Sequence, residues 1–185
     1  QIALLHFLRW FAEHGGIPFE ILLKRDGPLR PDFEALAPVA VWGEWDEDDE
    51  LVWLGAAKGT APAAPYGPGA RRLARRLARA GFGLVYSNTL ANGLVLSSLD
   101  GLGCPVITHA HELDWSIRYH LSAIAELAKA RTARYIAASR AVARSLVGTL
   151  GVDEGAVDVV YECVPAAGAP PRNIQTPAQV RAELH

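Results

Sequence analysis

His109 and His111, followed at once by Glu112 and two residues later by Asp114, are the side chains in this chain best suited to chemistry. They come directly after Cys104-Pro105-Val106-Ile107-Thr108, a short apolar and β-branched run introduced by Gly103. A buried parallel strand that leaves its sheet for a polar loop has this appearance. In open α/β sheets ligands sit beyond the carboxyl ends of the strands, which makes this stretch a site candidate. A histidine there can accept a proton, donate to a phosphate or sugar hydroxyl, or bind a metal. Metal is the weakest of the three, because His109, His111 and Glu112 lack the helical spacing of a zinc protease and no distant Cys/His cluster completes a set. In a strand-like continuation the two histidines face one side and line one cleft. His111 is favoured over His109, since it follows the strand with Glu112 beside it.

Two further strand ends offer polar groups to the same rim. Residues 84–86 lead into Ser87, Asn88 and Thr89, and residues 135–138 lead into Ser139 and Arg140. A Ser or Thr just before a helix is first of all an N-cap for orphan amides, although a helix N-terminus at a strand end can also receive a ligand.

The elements that must position these groups follow from periodicity. Residues 2–14 are amphipathic at helical spacing and stop at Gly15-Gly16. Strands are expected at 18–24 and 39–42, with a short helix at 31–37 between them. From Gly69 helices and strands alternate: helix to Gly81, strand 84–86, helix 89–99, strand 104–108, helix 115–131, strand 135–138, helix to Leu150, strand 157–161. Alternation with short loops predicts an α/β, Rossmann-like three-layer domain with a mostly parallel sheet and right-handed crossovers. Residues 43–70 read as a solvated loop around one short apolar patch, with an acidic cluster at 44–50. Residues 165–171 are rich in Pro and Gly and read as a linker, and Thr176 with Pro177 can open a last helix.

Composition narrows the class. Half of the 185 residues are hydrophobic, 21% are charged and the net charge is -2, which suits a globular domain and gives no overall attraction for nucleic acid. Two cysteines, Cys104 and Cys163, cannot build a disulfide framework, so a reducing cytoplasmic compartment is expected. No apolar run reaches the length of a membrane span, and no signal peptide is visible. Arg71, Arg72, Arg75, Arg76 and Arg79 form a basic face on an amphipathic helix whose Leu73 and Leu77 point to the core. Such a face is ordinarily solvated; peripheral docking to an anionic bilayer, at the inner face of the membrane, is the alternative. Dinucleotide and P-loop binding fail on pattern, and no Gly-x-Ser-x-Gly elbow supports a serine hydrolase.

Leu84-Val85-Tyr86-Ser87-Asn88-Thr89, then Gly103 to Glu112, then Tyr135-Ile136-Ala137-Ala138-Ser139-Arg140-Ala141-Val142, then Val157 to Glu162 together resemble the N-terminal domain of retaining GT-B glycosyltransferases of the family 4 type. The resemblance implies two Rossmann-like domains facing across a cleft, with residues 1–164 as the acceptor-binding half and 165–185 as the linker towards a donor-binding C-terminal domain. It implies transfer of a sugar from a nucleotide-sugar donor, a substrate rather than a cofactor, to a hydroxyl acceptor with retention. His111 matches the family's histidine near the transferred sugar. Asn88, Thr89, His109 and Glu112 are then expected to shape the acceptor pocket, with Ser139 capping a helix at its edge and no metal required. One departure stands out: Glu162-Cys163-Val164 occupies the place where the family has Asn-Gly-Val. The family's first strand, central in its sheet, is expected upstream of Gln1, and without its partner domain the fragment is expected to be inactive. A GT-B sugar-nucleotide epimerase and a non-catalytic α/β binding module are the other functions compatible with these residues.

Overall fold

The computed structural model describes residues 2–43 and 68–162. The expectations for the acidic cluster, the apolar patch at 51–54, Cys163, the linker and the helix opened by Thr176 lie outside these residues. Helix α1 (Ile2–His14) is followed by β1 (Ile21–Leu23), α2 (Arg30–Glu34) and β2 (Val39–Val41). Pro31 near the start of α2 suits a first turn whose amides have no intrahelical partner. Leu5, Ile21 and Phe33 are buried together where α1, β1 and α2 meet. Burying a ring such as Phe33 contributes about 2–3 kcal/mol.

The second part carries α3 (Pro68–Arg79), β3 (Val85–Ser87), α4 (Gly93–Ser98), β4 (Val106–Ala110), α5 (Ser122–Arg131), β5 (Arg134–Ala137), α6 (Arg140–Gly148) and β6 (Val157–Val159). Every strand pairing among the described residues is parallel. β1 pairs with β2, and β3-β4-β5-β6 form a four-stranded sheet in that order. The α/β architecture with a parallel sheet is thus the observed one. Among the described residues the strands fall into two sheets, with β1 and β3 not hydrogen-bonded to each other.

Local chemistry moved several element boundaries. β4 runs from Val106 to Ala110, two residues later than expected, because Pro105 has no amide to donate and contributes only its carbonyl, which accepts from Val85 N–H at 3.0 Å. At the other end His109 and Ala110 stay in register with Ile136 and Ala137, so His109 belongs to the strand and not to the loop after it. Gly103, at φ 65°, supplies the left-handed residue that turns the chain into β4. The helix expected at 89–99 is divided into a 3₁₀ turn (Leu90–Asn92) and α4, and the one expected at 115–131 contains a π-helical segment (Ser116–Leu121) before α5.

The main core lies on one face of the four-stranded sheet. Val106 and Ala110 of β4 and Tyr135 and Ala137 of β5 pack with Ala125 and Ala128 of α5 and Val142 and Leu146 of α6. The alternate residues Tyr86, His109 and Ile136 face the other way, towards α1, and this second face carries the site. α3 packs Ala70 and Leu77 against Leu94, Val95, Leu99 and Ile124, with Leu73 partly buried alongside. Its five arginines are exposed, as the helical pattern predicts. No helix among the described residues is long and apolar enough to cross a membrane.

Candidate functional site

The loop after β4 is held by its two acids, Glu112 and Asp114, which leaves the ring of His111 in the loop, like that of His109 in the strand, free of them. Glu112 folds back onto the start of the 3₁₀ turn after β3: one carboxylate oxygen accepts from the Thr89 hydroxyl and from Leu90 N–H at 3.1 Å, the other from His111 N–H at 2.9 Å. Thr89 in turn caps that turn by accepting from Ala91 N–H at 3.0 Å. Asp114 ties the far end of the loop to α6, donating its N–H to Ser145 Oγ at 3.0 Å and accepting from the Thr149 hydroxyl and from Arg118 at 2.8 Å. The hydrogen bond from Thr149, then that from Arg118, lowers the Asp114 carboxyl below its ordinary value.

His109 and His111 lie on the same side, as their spacing requires, with ring centroids 4.4 Å apart. His109 is 8% exposed, and its Nδ1 stands 2.6 Å from the Tyr86 hydroxyl. Burial, and next the neighbouring His111, lowers its pKa and favours the neutral ring. Burial together with the charge of Glu162 pushes the Tyr86 phenol up to about 12, so it is protonated throughout the neutral range. His111 Nδ1 faces Glu162 Oε2 at 3.5 Å. The Nε2 atoms of both histidines are buried without a hydrogen-bond partner among the described residues.

A cavity of about 400 Å³ opens beside this group. Ala3, His6, Phe7 and Trp10 on one face of α1 form one wall; Tyr86, Asn88, His109, Ile136 and residues 160–162 form the other. Phe7 and Tyr86 touch across it with centroids 5.6 Å apart. A mostly apolar cavity with a few convergent polar groups is how small-molecule sites are built.

The residues singled out in the sequence divide accordingly. Asn88 and His109 line the cavity, and the His111 ring packs against that of His109 at a tilt of 38°. Thr89, Glu112 and Ser139 are not among the lining residues: Thr89 and Glu112 are engaged with each other, and Ser139 caps α6 by accepting from Val142 N–H at 3.2 Å. Three contributors were not singled out as site residues. Glu162 lies 51 positions from His111, and its only signal was the departure from the family pattern at that place. The α1 face was read as part of an amphipathic helix, and Tyr86 as strand core. His109, His111 and Glu162 hold potential metal-ligand atoms that all lie within 4.8 Å of one another.

The family model for Glycosyltransferase Family 4 matches residues 41–167, more than half of the chain. The chain belongs to this family. The region matched contains β3 through β6, and with them Tyr86, Asn88, His109, Ile136 and residues 160–162 of the cavity lining; the α1 wall lies outside it. Comparisons with curated proteins and with solved structures return no match.

Proposed function

We propose that this family 4 domain is the acceptor-binding, N-terminal half of a retaining GT-B glycosyltransferase, which moves a sugar from a nucleotide-sugar donor to a hydroxyl acceptor. The observation that carries the reading is the convergence of Asn88, His109 and Glu162, from the ends of β3, β4 and β6, on one cavity with an aromatic wall. Phe7, Trp10 and Tyr86 offer the flat faces on which an acceptor ring or apolar body rests. Asn88 and His109 offer polar atoms to its hydroxyls. His111 contacts the transferred sugar or the acceptor hydroxyl; a partly exposed imidazole just after a strand is suited to donate to such a group. The donor-activating groups belong to the C-terminal domain across the cleft. The exposed arginine face of α3 supports peripheral contact with an anionic bilayer, which salt-sensitive sedimentation with liposomes would test; Arg76 also pairs with Glu20 at 3.1 Å.

Full-length protein supplied with UDP- and GDP-sugars, with and without candidate hydroxyl acceptors, tests the reaction. Acceptor-dependent release of nucleotide is the expected outcome. Release without acceptor would point to an epimerase, and no turnover with any donor to a binding module. His111→Ala should remove turnover while the unfolding midpoint stays in place; unchanged turnover would remove His111 from the mechanism.

A further inference from the structure

We propose that His109, His111 and Glu162 form a binding site for a divalent transition-metal ion of the zinc type at the mouth of the cavity. The third residue is not Glu112, the acid next to the two histidines in sequence, whose carboxylate is engaged by Thr89, Leu90 and the His111 amide; it is Glu162, which the fold carries beyond the end of β6 to His111. Potential ligand atoms of the three residues lie within 4.8 Å of one another, and His111 Nδ1 is 3.5 Å from Glu162 Oε2. Donors bound to one tetrahedral zinc at about 2.0–2.1 Å are roughly 3.3 Å apart, so one pair is already spaced for a common ion. The side chains of His111 and Glu162 are 31% and 35% exposed and have room to close the remainder.

Burial argues for a ligand and not merely an ion pair. His109 is 8% exposed, its Nε2 has no hydrogen-bond partner among the described residues, and a buried nitrogen left unpaired is unfavourable. A protonated His111 beside Glu162 would account for that pair but leave His109 Nε2 unanswered. An anion is opposed by the Glu162 carboxylate. The Tyr86 oxygen is 2.6 Å from His109 Nδ1, and the tautomer in which Nδ1–H donates to it, the one a metal site requires, leaves the lone pair on Nε2. That is the outer-shell support typical of metal-binding histidines. Two imidazoles with one carboxylate suit zinc and its neighbours better than magnesium or calcium, which prefer all-oxygen sets. His109 and Glu162 also line the cavity, so an ion held by them would border it.

Titration of metal-stripped full-length protein with Co²⁺, followed by its visible d–d absorption, tests the site without any turnover and so stands apart from the transfer reaction. A saturable band displaced by Zn²⁺ is expected. Glu162→Gln, nearly isosteric, should weaken Co²⁺ binding at least about tenfold, and Tyr86→Phe, which keeps the ring in place, by about 10–100-fold. Absence of the band in protein with a native circular dichroism spectrum, or unchanged affinity in either variant, would overturn the proposal.

Discussion

Glu112 accepts the backbone N–H of Leu90 at 3.1 Å, so the residue after the two histidines anchors the neighbouring strand's exit. Together with the Thr89 hydroxyl and the His111 amide, this occupies both carboxylate oxygens. Glu112→Ala strands these donors and should cost about 2–4 kcal/mol, read as a lower urea midpoint with unchanged slope. Loss of acceptor affinity with no loss of stability would instead make Glu112 a ligand.

Ser139 acts on α6 and not on a substrate. Ser139→Ala should lower stability by about 1 kcal/mol, the usual value of an N-cap, and leave the acceptor KM of the full-length enzyme unchanged. Steady-state kinetics beside thermal melts separate the two roles, and a raised KM would return Ser139 to the binding site.

Gly93 sets how closely α4 crosses α5. A Cβ built there would lie 2.0 Å from the Ile124 carbonyl oxygen and 2.8 Å from the Ala128 nitrogen, both backbone atoms that cannot swing aside. Gly93→Ala should cost about 3 kcal/mol or more, at or above the upper end of ordinary overpacking. Denaturant unfolding measures it, and a loss under about 1 kcal/mol would mean that the helices separate easily.

Asp114 makes the loop sensitive to acid. Its carboxyl is lowered below 3.8 in the folded protein, chiefly by the Thr149 hydroxyl and then by Arg118. A depressed folded-state value means that the stabilisation is present above the unfolded value and is lost as pH falls through the folded one. Wild-type stability should therefore drop more steeply than that of Thr149→Val as pH is lowered below about 4, as followed by urea midpoints. Parallel curves would exclude the Thr149 contact as a cause.

The parallel fold was legible because Val85, Val106 and Tyr135 sit in short apolar runs separated by helical spacing, and burial on both faces leaves such runs little alternative. The shared side of His109 and His111 was legible for the same reason, since alternate residues of a strand point one way. The strand assignment of His109 was not, because it depends on pairing with Ile136, a partner 27 positions away. Glu162 was beyond reach as a site residue for a like reason: β6 must lie beside β5, and β5 beside β4, before its carboxylate comes near His111. The cavity wall from α1 was hidden differently. Ala3, His6, Phe7 and Trp10 have the spacing of a core-facing stripe, and nothing local distinguishes a stripe that meets a cavity from one that meets packed side chains.

The bonds from Asp114 to Ser145 and Thr149 also determine how the loop carrying His111 can travel. Because Glu112 fastens the same loop to the β3 exit, it is moored on both sides and is not a free flap. A shift of α6 against the sheet would therefore have to strain one of these moorings before it moved the His111 imidazole.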